Sequence, residues 1–192
     1  MSQKINKNIL ALHEINTNIL QKLKTDKING ISYQVITFDD GLYSQYYYYN
    51  QLREIFPYTT FIYFISTDII NQDADNTIVD INCHMAHTRY FDKGDCSAYM
   101  TITQIKNLAG SRNCIIGGHG HKHYFPSIGK HGLKKDYQNW KDDFHSMERW
   151  FKDNNLELDY YCCPYNIKKD LYLLGIGFKG VVFAGNRTKI DL

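Results

Sequence analysis

The feature that most constrains this chain is an alternation of short, continuously apolar runs with longer segments of helical periodicity. Ile31 to Phe38 is strongly β-prone and stops at Asp39-Asp40-Gly41. Tyr58 to Ile65 is a second apolar run, and Asn113 to Ile116 leads into Gly117-Gly118-His119. Leu158 to Cys163 ends at Pro164, and Lys179 to Phe183 forms a last strand. Strands that are apolar throughout are buried on both faces, as in a parallel sheet covered by crossover helices. The segments between them read as helices: Tyr43 to Phe56 before Pro57, and Thr101 to Leu108 with Thr101 or Thr103 as cap and Gly110 as stop. Leu133 to Asn154 carries Trp140, Phe144, Met147 and Phe151 on one side, and Ile167 to Leu174 is closed by Gly175. Ahead of these, Ile5, Ile9, Leu12, Ile15, Ile19 and Leu23 follow helical spacing. That spacing predicts an amphipathic N-terminal helix within residues 1–29, ending near Lys24 before the Asn29-Gly30 turn. Asp68 to Ala98 is polar and reads as a long loop, a length usually reserved for function. The pattern predicts one α/β domain with a parallel sheet, open or closed into a barrel, whose chemistry collects at the carboxyl ends of its strands.

Composition narrows the function classes. A chain of 192 residues with 43% hydrophobic and 22% charged residues fits one globular domain with a real core. The net charge is +2 and the lysines are scattered, so no basic stripe for nucleic acid is present. The longest apolar stretch, Thr60 to Ile65, is far too short to span a bilayer. The five cysteines, Cys83, Cys96, Cys114, Cys162 and Cys163, are odd in number and lack zinc-finger spacing, which predicts reduced thiols. Met1 to Asn8 is polar, without the apolar run of a secretory signal, so the expected location is cytoplasmic or virion-associated. The 16 tyrosines offer flat faces on which a sugar ring can stack, although a lysine-, asparagine- and isoleucine-rich composition drifts toward tyrosine by itself.

Three strand ends carry reactive residues. In Thr37-Phe38-Asp39-Asp40-Gly41, adjacent carboxylates can divide their tasks, one holding a metal while the other handles a proton; Asp-Asp-Gly is also a plain turn. In Gly117-Gly118-His119-Gly120-His121-Lys122-His123, histidines four apart share a helical face and histidines two apart share a strand face. Either His119 with His123 or His119 with His121 can therefore form a metal-binding pair. The third end is Tyr161-Cys162-Cys163-Pro164-Tyr165-Asn166.

Together these segments resemble the polysaccharide deacetylase family, the NodB-homology group of carbohydrate esterase family 4. Thr37 to Gly41 matches its first motif letter for letter, His119 to His123 matches His-x-x-x-His in spacing, and Pro164-Tyr165 matches the core of the third. The resemblance covers roughly Ile31 to Phe183, the expected catalytic core 31–183 of a single domain 1–192. It implies a distorted (β/α) barrel and a divalent metal ion, zinc, held by Asp40, His119 and His123. It also implies N-deacetylation of an amino sugar in a glycan. Asp39 would be the general base toward the water that the metal activates, and the Tyr165 backbone N–H would stabilise the oxyanion.

The match departs from the family at two places. Cys162 stands where the family has an Arg that orients the base, and a thiol offers no planar charged fork. Arg89 is the candidate substitute. No histidine follows His145, so the family's late acid is missing; His84, His87, His121 and His131 are candidates to replace it or to contact substrate. The family's Trp-bearing motif is not found either, since Trp140 and Trp150 belong to a helix pattern. Two other functions fit the same motifs: a non-catalytic carbohydrate-binding or structural protein, and a hydrolase of another small amide.

Overall fold

A computed structural model describes residues 9–123, 133–166, 177–183 and 188–189. In chain order the elements are β1 (Ile9–Leu12), α1 (Thr17–Ile28), β2 (Val35–Phe38), α2 (Tyr43–Tyr47), α3 (Tyr49–Ile55), β3 (Thr60–Ile65) and α4 (Cys83–Lys93). They continue with α5 (Ile102–Ala109), β4 (Cys114–Gly118), α6 (Leu133–Asp153), β5 (Tyr160–Cys162), a single 3₁₀ turn (Pro164–Asn166), β6 (Val181–Phe183) and β7 (Thr188–Lys189). The strands form one sheet in the order β6-β5-β4-β3-β2-β1-β7, and every recorded pairing is parallel. The sheet curls into a half-barrel flanked by helices.

The sheet buries both of its faces, as its apolar runs require, the helices on one and the strands' own side chains on the other. β3 is buried from Phe61 to Ile65. Phe61, Tyr63 and Ile65 join the main core with Leu10, Ile36 and Phe38 of the neighbouring strands and with Leu23, Leu52, Ile105 and Phe144 of the helices. The alternate residues Ile62 and Phe64 pack on the other face with Cys162 and Phe183. Phe38 stacks on Tyr63 with ring centroids 4.8 Å apart. The register aligns Leu12 with Phe38, Phe38 with Tyr63, and Ile65 with Gly118, so the carboxyl ends of β1 to β4 open onto one edge.

Several expectations are corrected. The N-terminal segment is not one helix: Ile9–Leu12 is a strand between β2 and β7, and the helix begins only at Thr17. Ile9-Leu10-Ala11-Leu12 is a short unbroken apolar run, for which periodicity does not separate strand from helix. The start of α1 is set by Asn16, whose side chain accepts from the Ile19 N–H at 2.9 Å. The helix expected over Tyr43 to Phe56 breaks at Tyr48 into α2 and α3. The polar stretch from Asp68 to Ala98 contains α4, capped by Asn82 and closed by a left-handed Gly94. The apolar stripe of α4 is thin: Ala86 alone is buried, with Cys83 and Tyr90 half-buried beside it. The helix expected over Ile167 to Leu174 lies outside the described residues. Among the described residues, no helix is long and apolar enough to cross a membrane.

Candidate metal centre

At the end of β2 the chain turns sharply through two left-handed residues, Asp40 at φ 74° and Gly41 at φ 83°. Both carboxylates, Asp39 and Asp40, are buried. The Gln45 amide, from α2, donates to the carbonyls of Asp39 at 2.6 Å and His13 at 2.5 Å, tying the ends of β2 and β1 together.

At the end of β4 the histidine segment is pinned from two sides. The His119 N–H donates to the Ile65 carbonyl at 2.9 Å, continuing the β3–β4 ladder. The Asp143 carboxylate, reaching down from α6, accepts from the backbone N–H groups of His121 at 2.8 Å and Lys122 at 2.7 Å. Burial pushes the Asp143 carboxyl up, and those two donors pull the other way. Gly120 is required at this turn: its φ is +83°, and a Cβ there would stand 2.8 Å from Asp143 Oδ2. Gly117 is required by close approach, because a Cβ would meet the Phe64 ring at 2.8 Å and the Tyr160 carbonyl oxygen at 2.9 Å.

These turns bring three imidazoles to one carboxylate oxygen. Asp40 Oδ1 lies 3.2 Å from His123 Nε2, 3.4 Å from His119 Nε2 and 3.6 Å from His87 Nε2. His119 Nδ1 stands 2.7 Å from the Cys162 carbonyl oxygen. A carbonyl only accepts, so Nδ1 carries the proton, and in a neutral ring Nε2 presents its lone pair toward Asp40. Asp40 Oδ1 itself is buried and makes no hydrogen bond. Lone pairs of carboxylate and imidazole facing one another without water are costly unless a proton or a cation lies between them. Burial alone would raise the Asp40 carboxyl, but His119 and His123 outweigh it and hold it well below the usual range. Burial would lower His119, but Cys162, Asp39 and Asp40 around it hold it well above the ordinary histidine value. The ligand atoms of Asp40, His119 and His123 all lie within 4.8 Å of one another, and this buried group could hold a metal ion.

Backbone strain gathers at the same place. Among the described residues, five non-glycines have positive φ: Asp40, Asn113, His123, Asn155 and Tyr165. Two are asparagines, which tolerate the left-handed region. The other three sit at the ends of β2, β4 and β5 around the centre, each holding a conformation that costs about 1–3 kcal/mol. The half-exposed Tyr165 ring lies over His123 with centroids 4.7 Å apart. The cleft above the centre has a volume of about 520 Å³ and is lined by His13, Glu14, Asp39, Asp40, Cys83, His84, His87, His119, His123 and Tyr165.

The remaining candidates divide. His84 and His87 line the cleft from α4, and burial lowers the His87 pKa. Arg89 is turned elsewhere, bound through Nε at 2.9 Å and Nη2 at 2.5 Å to Asp95, so it does not take the place of the missing Arg beside Asp39. His121 leaves the centre: its Nδ1 is 2.9 Å from Thr67 Oγ1 and its Nε2 is 3.5 Å from Asp68. The pair at Asp40 is thus His119 with His123. His131 lies outside the described residues. Cys162 is buried with Sγ 3.9 Å from Asp39 Oδ2.

Sequence reasoning missed His13, Glu14 and Cys83. His13 Nε2 lies 3.8 Å from Asp39 Oδ2, and the Cys83 thiol donates to Asp40 Oδ2 at 3.1 Å. Burial, followed by the Asp40 charge, raises the Cys83 pKa and keeps that thiol protonated. The signal for His13 and Glu14 was their position directly after the apolar run Ile9–Leu12, once that run is read as a strand. No family model matches this chain and no curated protein matches it, so the reading of the centre rests on its residues and geometry.

Proposed function

We propose that this chain is a metal-dependent amide hydrolase of the polysaccharide deacetylase kind, removing N-acetyl groups from amino sugars with zinc at Asp40, His119 and His123. The observation that carries the reading is the meeting of those three side chains in an open cleft, with a second buried carboxylate, Asp39, next in the chain. A divalent cation in that donor set supplies Lewis acidity toward an amide carbonyl and lowers the pKa of a coordinated water.

The protein's own groups do the rest. Asp40 and the two histidines hold charge and geometry, with the His119 tautomer set by the Cys162 carbonyl. Asp39 takes the proton of the attacking water. That proton is the one the departing amine needs, and His13, 3.8 Å from Asp39, is within reach to pass it on. The left-handed Tyr165 turns the backbone at the cleft wall, where its N–H serves the developing oxyanion.

The test is metal analysis joined to acetate release from chitooligosaccharides. The wild-type chain binds zinc and releases acetate; His119→Ala loses both. Asp39→Asn keeps zinc and loses roughly 10²–10⁴-fold in rate. Oligosaccharide binding without acetate release from the zinc-loaded protein would make it a carbohydrate-binding protein. Formate or a ring-opened product in place of acetate would make it a hydrolase of another small amide.

A further inference from the structure

We infer that Cys83 and His87 of α4, together with the second oxygen of Asp40, form a second cation position beside the first, bridged to it by the Asp40 carboxylate and suited to a thiophilic divalent ion. The inference rests on the first position being a metal site, because the two share Asp40.

Cys83 and His87 are four residues apart on α4 and so project from one face of the helix. Their Sγ and Nδ1 atoms are 3.6 Å apart. Two ligands on one tetrahedral zinc, with Zn–S near 2.3 Å and Zn–N near 2.0–2.1 Å, stand about 3.6 Å apart. Cys83 Sγ also lies 3.1 Å from Asp40 Oδ2, and the three residues' ligand atoms all fall within 4.8 Å of one another. The oxygens of Asp40 face opposite partners: Oδ1 toward His119 and His123, Oδ2 toward Cys83. With Nδ1 of His87 on the ion, the ring proton sits on Nε2, a buried atom without a hydrogen bond that lies 3.6 Å from Asp40 Oδ1. Glu14, from the end of β1, accepts the Cys83 N–H at 3.3 Å and anchors the first turn of α4 over the cleft. Binding displaces the thiol proton, now directed at Asp40, to solvent. The other thiol near the centre, Cys162, is a poorer candidate. It shares a group with His119 and Asp39, but His119 already directs one nitrogen at the Cys162 carbonyl and the other at Asp40.

The test is a cobalt(II) titration of the chelator-treated, reduced full-length chain, read by near-ultraviolet thiolate-to-cobalt charge transfer and by bound-metal analysis. The inference expects two equivalents in the wild type and a charge-transfer band. Cys83→Ser and His87→Ala should each lose one equivalent, with the band abolished in Cys83→Ser. Cys96→Ser and Cys162→Ser should keep the band. Circular dichroism melts establish that each variant is folded. A wild type that binds a single equivalent, lost in His123→Ala, overturns the second position and leaves the proposed function standing. A band that survives Cys83→Ser overturns it as well. No bound cobalt at all overturns both readings.

Discussion

Replacing His123 by alanine and by glycine separates what its backbone costs from what its side chain supplies. His123 holds φ at 52° while its ring is buried against His87, His119 and Tyr165. Both substitutions remove the ring and differ only by a single methyl, so their difference chiefly reports the backbone. An L-residue in the left-handed region costs about 1–2 kcal/mol that glycine does not incur. Glycine gives back about 0.4–1 kcal/mol through its freer unfolded chain. The balance leaves His123→Gly about 1 kcal/mol more stable than His123→Ala, the reverse of the usual order within regular structure. For a chain of this size that is a melting temperature about 2–4 °C higher, read by calorimetry of the cation-free proteins. The same melts with zinc test the ligand. Zinc at about a hundredfold its dissociation constant should stabilise the wild type by about 2.7 kcal/mol. That corresponds to about 5–11 °C, and neither variant should show more than a small part of it. An alanine variant that melts above the glycine variant would refute the strain argument. A full zinc increment in either would refute the assignment of His123 as a ligand.

Three further outcomes follow from other parts of the site. Gly117→Ala drives a Cβ into the Phe64 ring and the Tyr160 carbonyl, both within 2.9 Å, and should destabilise by about 1–3 kcal/mol in chemical denaturation; an unchanged midpoint would contradict the β4–β5 spacing. Asp143→Ala removes the acceptor of two backbone donors under the histidine turn; it should cost about 1–3 kcal/mol and weaken zinc binding, and Asp143→Asn should cost less. In the cation-free protein, the raised His119 pKa contributes stability that is complete below the unfolded histidine value and lost as pH rises through the folded one. The lowered Asp40 pKa contributes stability present above the unfolded carboxyl value and lost as pH falls through the folded one. Cation-free melts should therefore be highest between about pH 4 and about pH 6.5. The zinc increment should grow as pH rises toward the folded His119 value, since binding then competes less with the His119 proton; an increment that shrinks with rising pH would contradict this.

Much of the sheet was legible because its strands are continuous apolar runs bounded by turn residues. Thr60–Ile65 and Tyr160–Cys162 fall inside the runs read from sequence, and α5 begins at the Thr101 cap with its Gln104 partner completing a capping box. β1 and α4 were missed for opposite reasons. β1 is apolar on both faces, and its run merged with a helical spacing beyond it. α4 packs only a thin stripe of Cys83, Ala86 and Tyr90 within a polar stretch, a weak periodic signal that Asn82 and Gly94 bracket as cap and stop. Both misses matter to the site, because β1 delivers His13 and α4 delivers Cys83 and His87.

By itself the sequence determined that reactive residues stand at strand ends: Asp39 and Asp40 after one apolar run, three histidines after another, Tyr165 after a third. Those are local facts, written in hydrophobic pattern and turn chemistry over a handful of residues. Only the tertiary structure decided which of them meet. It chose His123 over His121, because Asp143 and the Thr67–Asp68 turn hold His121 away from Asp40. It turned Arg89 to Asp95 and brought Cys83 to Asp40 across 43 residues of chain. The physical reason is that a ligand set is a matter of ångströms between distant segments. Those distances follow from how the sheet curls and the helices pack, to which no local pattern has access.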